Sequence, residues 1–134
     1  MKKYLLSAAI ALLATPALAQ FDVVISKRHQ SMTVYEDGQM IDVWHVSTAR
    51  RGYSTPSGTF HPYSYQPMHY SKKFDNAPMP HSIFFAGGYA IHATPHVGNL
   101  GRPASHGCVR LHPANAAKLY NMTKGERTTI HITE

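Results

Sequence analysis

The chain carries a single cysteine, Cys108, inside Ser105-His106-Gly107-Cys108-Val109-Arg110-Leu111, with His92 sixteen positions before it. A thiol becomes a useful nucleophile when a nearby cation lowers its pKa or an imidazole takes its proton. Histidines 92, 96, 106 and 112 surround it in sequence, and Arg102 and Arg110 add positive charge. Gly107 lets a substrate carbonyl come close to the backbone and permits unusual dihedrals. Backbone N–H groups of Gly107 and Cys108 would then form an oxyanion hole, the arrangement acyl transfer needs. No Asp or Glu lies between Asp75 and Glu126. A carboxylate orienting the base must therefore come from a distant segment, or a main-chain carbonyl or polar side chain must hold the imidazole. The carbonyl is favoured here, because His92 ends a strand where the following peptide is fixed.

Other uses of these residues are weaker. Imidazole and thiolate are the usual ligands of zinc and copper. Yet Pro95 prevents His92 and His96 from sharing a helical face, and no pair has a recognised metal-ligand spacing. Neither a metal site nor a cofactor is expected. A free cysteine can also pack as a small inert hydrophobe, but Cys108 is flanked by Gly and His rather than by apolar residues. His106 either supports the site or touches the substrate, and its position leaves both open.

The elements that must hold this constellation read as short strands. From Phe21 to about Thr48 the pattern is strand, turn, strand, with Glu36-Asp37-Gly38-Gln39 as an Asp-Gly hairpin turn. Ile41, Val43 and His45 alternate with Asp42, Trp44 and Val46 on the return. Pro56 and Gly58 mark a turn, and residues 61–82, rich in Pro, Tyr, His and Ser, read as a long surface loop. Strand character returns from Ser82 to His92 around Gly87-Gly88. Pro113 to Asn121 reads as one helix with Pro in its first turn, and Thr128 to Ile132 as a last strand. Short strands with turns between them predict a mainly β fold, a sandwich or small barrel with one helix.

The bulk numbers set the compartment. Lys2 and Lys3, the apolar run Leu5 to Ala14 and the Ala17-Leu18-Ala19 site have the layout of a secretory signal peptide cleaved after Ala19. That run is short of the roughly 20 apolar residues a membrane helix needs, and no later segment reaches that length. Residues 20–134, 115 of the 134 residues, form one domain large enough for its own core. The formal charge of +6 becomes +4 without Lys2 and Lys3. Basic residues are scattered in pairs and accompany no nucleic-acid motif, so the charge reads as general attraction to a polyanionic envelope. A lone cysteine in an exported chain has no disulfide partner within the chain, so it is buried, paired between chains or used chemically, and its neighbours must decide.

At these residues the sequence resembles the L,D-transpeptidase (YkuD-like) catalytic domain. That family's hallmark is a histidine followed some sixteen residues later by Ser/Thr-His-Gly-Cys-x-Arg/Asn, and Ser105 to Arg110 fill the block. The resemblance extends to Thr55-Pro56-Ser57-Gly58, Ala77-Pro78-Met79-Pro80 and the stretch from Gly125 to Ile132, and so spans residues 21–134. It implies a β-sandwich and a periplasmic or envelope enzyme acting on peptidoglycan stem peptides. Cys108 would attack the carbonyl after meso-diaminopimelate in a stem tetrapeptide, D-alanine would leave, and the acyl group would pass to an amine. A protein acceptor is a further option. His92 is implied as base and then acid, held by the Ala93 main-chain carbonyl. His106, Gly107 and Cys108 backbone groups are implied for the oxyanion, with Ser105 beside them and Arg110 shaping the site or binding a carboxylate. Ala93 stands where the family often has Gly or Ser, a mild change if the carbonyl is the working group. No wall-binding module such as LysM accompanies the domain. Two alternatives stay open: the same site used hydrolytically, as a carboxypeptidase or amidase, and a periplasmic His-rich metal-binding protein.

Overall fold

The computed structural model describes residues 18–134. The expected leader, residues 1–19, thus lies outside the described residues except for Leu18 and Ala19. Strands β1 (Gln20–Ser26), β2 (Ser31–Glu36) and β3 (Gln39–His45) form an antiparallel meander. The segment read as two strands therefore holds three. The extra reversal is made at Lys27–Gln30, where Gln30 takes a positive φ of 49°. Its buried amide donates to Lys27 O and Thr48 Oγ1, both at 2.7 Å. The second reversal falls at Asp37-Gly38, both at positive φ (49° and 83°), as a tight hairpin requires.

The C-terminal strand β9 (Arg127–Thr133) pairs in parallel with β1, and the short β4 (Gly58–Phe60) lies beyond it. The first sheet has the order β3-β2-β1-β9-β4. The second contains β5 (Ser64–Ser71), β6 (Ala77–Ala86), β7 (Tyr89–Ala93) and β8 (Val109–Leu111), in that order. Phe21, Val23, Ile25, Met32, Val34, Ile130 and Ile132 of the first sheet meet Ile83, Phe85, Ile91, Ala93, Val109 and Leu111 of the second. The architecture is the mainly β sandwich expected, with a core shared by the two inner faces.

The one α-helix among the described residues, α1 (Pro113–Thr123), packs on β6 and β7 and adds Ala116, Leu119 and Tyr120 to the core. His112 caps it, its Nδ1 accepting from the Ala114 N–H at 3.1 Å, with Pro113 at the first helical position. His112 is thereby committed to the helix and leaves the group of histidines around Cys108.

Residues 61–82 are the main departure from the sequence reading. They are a strand hairpin, β5 into β6, and not a loop. Prolines argue against a central strand because they cannot donate to the ladder. Here Pro67 lies on the edge strand β5, and Pro78 and Pro80 lie in the part of β6 that pairs only with β5. Prolines at such places cost little.

Candidate active site

Strands β7 and β8 run parallel in the register Ile91↔Val109, His92↔Arg110 and Ala93↔Leu111. Side chains alternate across a sheet, so one set of residues goes into the core and the other faces outward. Ile91, Ala93, Val109 and Leu111 are buried between the sheets. His92 and Arg110 face the opposite side, and Cys108, just ahead of β8, packs there against Met79, Phe84 and Ala90. His92 and Cys108 thus lie on one face of adjoining strands, one diagonal step apart. Both line a cleft of about 720 Å³.

His92 is in contact with the main chain of its neighbour. Its Nδ1 lies 2.8 Å from the Ala93 carbonyl oxygen. A carbonyl only accepts, so Nδ1 carries the proton and Nε2 keeps its lone pair. Burial lowers the imidazole pKa to about 4; the Ala93 carbonyl opposes that shift, while the charges of Arg110 and His69 add to it. The ring is 8% exposed, so it is neutral throughout the physiological range. Burial also pushes the Cys108 thiol up, against the pull of the Ala90 backbone and Arg110. Both shifts favour a neutral thiol and a neutral imidazole over a preformed thiolate–imidazolium pair, and the thiol contact is a long one to Gly88 O at 3.9 Å.

The loop preceding Cys108 is built from within. Ser105 is buried; its Oγ accepts from the Gly107 N–H at 3.0 Å and donates to Cys108 O at 2.6 Å. Ser105 therefore shapes the turn. The Gly107 N–H, expected as an oxyanion donor, is committed to Ser105 inside that turn, which leaves His106 and Cys108 as the expected backbone donors. Gly107 itself takes a φ of 142°, and a Cβ there would come within 2.7 Å of the Tyr89 ring and 3.1 Å of Ser54 O. Only glycine fits both requirements. The Gly107 carbonyl accepts from Thr55 Oγ1 at 2.7 Å, and Thr55 Oγ1 accepts in turn from the Ala49 N–H at 2.9 Å. The Thr55-Pro56-Ser57-Gly58 turn is thus a buttress of the cysteine loop.

His106 points away from Cys108's apolar neighbours and into an aromatic stack. Phe74, at the tip of the β5–β6 hairpin, stacks on it at 4.2 Å, and Tyr53 tilts against its other side at 4.7 Å. Lys73 lies over Phe74 and Arg50 over Tyr53, so a cation ends the stack on each side. His106 pins the hairpin tip to the cysteine loop. Arg110 is half-buried, donates to Ala104 O at 3.3 Å and lines the cleft beside His92. Its strand is tied to residues 47–50 through Ser47, whose N–H and carbonyl both bond to Arg110.

Several cleft residues escaped the sequence reading: Gln66, His69, Phe74, Met79 and Phe84. All lie on the β5–β6 hairpin; the first four fall in the stretch that read as a loop and Phe84 in the segment that read as strand. The polar side chains at Ser64, Gln66, His69 and Ser71 were the available signal. His96, by contrast, sits at the cleft rim, and Arg102 turns outward to Asn99. Among the described residues no three His, Cys, Asp or Glu side chains converge as a metal site requires. No helix among them is long and apolar enough to cross a membrane.

Comparison with known proteins gives this arrangement a family. The model of the L,D-transpeptidase catalytic domain (YkuD) matches residues 20–132. Among solved structures, an L,D-transpeptidase from Mycobacterium smegmatis superposes with a TM-score of 0.80 at 25% identity, covering 87% of this chain and 59% of that one. One from Stackebrandtia nassauensis gives 0.76 at 29% identity, covering 90% and 57%. One from Xylanimonas cellulosilytica gives 0.74 at 25% identity, covering 89% and 63%. The chain thus spans about three fifths of the length of these relatives. A search of curated proteins returns no significant match. The chain belongs to the L,D-transpeptidase (YkuD) catalytic-domain family.

Proposed function

We propose that the protein is an exported peptidoglycan L,D-transpeptidase that works through a thioester on Cys108, with His92 as its base. The observation that carries this reading is the placement of His92 and Cys108 on one outward face of β7 and β8, with His92 Nδ1 tied to Ala93 O. Nε2 is then the free base of the cleft. As Sγ attacks the carbonyl after the diaminopimelate residue, its proton passes to Nε2. The tetrahedral intermediate collapses, the C–N bond breaks, and His92 returns that proton to the departing D-alanine amine. Because the resting pair is neutral, proton transfer accompanies attack. Backbone N–H groups of Cys108 and His106 are assigned to the developing oxyanion, and Arg110 to a substrate carboxylate. The acyl group then passes to an amine of a neighbouring stem, or to water.

Residues 1–19 act as a cleaved signal peptide in this reading, which places the enzyme in the periplasm or envelope. Incubating the mature protein with purified tetrapeptide muropeptides tests the function. Mass spectrometry should find released D-alanine and a cross-linked dimer, with a tripeptide as the hydrolytic by-product. Unchanged muropeptides in the presence of reduced enzyme would refute it.

A further inference from the structure

The thioester cycle contains one proton that His92 does not handle, and the inference here rests on that cycle. In acylation, His92 takes the thiol proton and passes it to the leaving amine, so it ends neutral. The acceptor amine arrives mostly as an ammonium at neutral pH, since a primary amine titrates near roughly 10. It must lose one proton before it attacks and a second as the C–N bond forms. The second passes through His92 to the departing Cys108 thiolate and restores the thiol. The first has no place in the Cys108–His92 pair, because His92 must stay unprotonated to receive the second. Water, the competing acceptor, has only one proton to give up.

A second imidazole lies in the same cleft. On β5, Ser64 and Gln66 face the cleft, as do His69 and Ser71, whereas Met68 and Tyr70 are exposed. The alternation changes phase between Gln66 and His69, opposite His81, which takes a positive φ of 51° on β6. That change turns His69 inward. Its Nδ1 lies 3.0 Å from Gln66 Oε1, an acceptor, so Nδ1 donates and Nε2 is left with a lone pair. The Gln66 amide is oriented in turn by its Nε2 donating to Ser64 Oγ at 3.4 Å. Phe84 meets the His69 ring edge-on at 5.0 Å, and Met79 is its cross-strand partner. Phe84 and Met79 belong to the apolar cluster that packs against Cys108. The thiol and the second imidazole therefore share one wall of side chains.

We infer that His69 is a second catalytic base, which takes the first proton from the acceptor ammonium while His92 serves the thiol. The step balances: the ammonium N–H bond breaks, His69 Nε2 gains the proton, and the freed amine attacks the thioester. His69, half-buried, then returns the proton to solvent. His92, His106, Cys108, Arg110, Lys72 and Lys73 are titratable or charged groups lining the cleft with it. Of these Arg110, Lys72 and Lys73 are the cations; their charge disfavours an ammonium in the cleft, and His69 Nε2 is an acceptor from which solvent can take its proton.

The test compares wild type with His69→Gln in the muropeptide assay, reading the acyl-enzyme by intact mass and the products by chromatography. At pH 7 the ratio of cross-linked to hydrolysed product should fall at least about tenfold in His69→Gln, the lower end of what a positioned base contributes. Raising the pH toward the amine's own pKa should restore it. Hydroxylamine, an acceptor already unprotonated at neutral pH, should be used equally by both proteins. An unchanged ratio, or an equal loss with hydroxylamine, overturns the inference. Should His69→Gln fail to fold, Gln66→Leu keeps the imidazole but frees its tautomer; it should lower the same ratio, and an unchanged ratio there overturns the inference too. Absence of any acyl adduct on wild type would instead defeat the thioester reading and this step with it.

Discussion

The two faces of β7 and β8 are made from the same few residues and do opposite work. Ile91, Ala93, Val109 and Leu111 are at most 2% exposed and join the sandwich core. Their immediate neighbours His92, Cys108 and Arg110 line the cleft, and Ala90 packs against Cys108 in its wall. Period-two alternation separates stability from chemistry by a single residue step. The face that reacts needs the face that packs, because a one-residue slip would exchange them. The outer face is also dry enough to tune its groups. Burial is the largest cause that drives the imidazole down and the thiol up.

Substitutions on the two faces should have separable effects. The largest is expected at Cys108→Ala, where acyl transfer should fall by about 10⁴-fold or more. The melting temperature should barely move, because the thiol is only partly buried at the cleft wall. A variant that retained half its D-alanine release would break the division of labour. On the inner face, Ile91→Ala should cost about 2–5 kcal/mol of stability in urea titrations, with near-normal activity per folded molecule. Comparable losses of activity at equal folded fraction would show that the two faces are not separable.

The third effect is a pH dependence of stability. His92 titrates near 6.5 unfolded and about 4 folded. The folded pKa is the lower one, so the unfolded chain binds the extra proton between those values. Stability from His92 is therefore whole above about pH 6.5 and is lost as pH falls toward 4, by about 3 kcal/mol in all. His92→Gln should remove that share of the pH dependence; equal slopes for both proteins between pH 6.5 and 4 would contradict it. Gly107→Ala should cost a further modest amount of stability, about 1–3 kcal/mol. The new Cβ meets the Tyr89 ring from a φ of 142°. Activity should fall more than stability, since the Cys108 loop must shift, and unchanged melting and turnover together would refute the close fit.

How much of this was legible in the sequence follows from how local each feature is. The Cys108 block and the His92 spacing are readable because adjacent parallel strands carry them. The Ala93 carbonyl is readable because it is covalently next to the imidazole it holds. The helix announced itself through Pro113, and the hairpin through Asp37-Gly38. What sequence concealed depends on pairing partners. Pro67, Pro78 and Pro80 read as loop residues until β5 is seen to be an edge and the first part of β6 to have one neighbour. With that hairpin hidden, His69, Phe74 and Met79 had no address. The Gly107 N–H read as an oxyanion donor because only the folded turn shows Ser105 Oγ taking it.

The most direct measurement is the intact mass of the mature protein mixed rapidly with a stem tetrapeptide, followed by peptide mapping. The expected result is a transient gain equal to the substrate less D-alanine, mapped to Cys108, chased off by an amine acceptor and absent from Cys108→Ala. D-alanine release that persists in Cys108→Ala without any such adduct would contradict it.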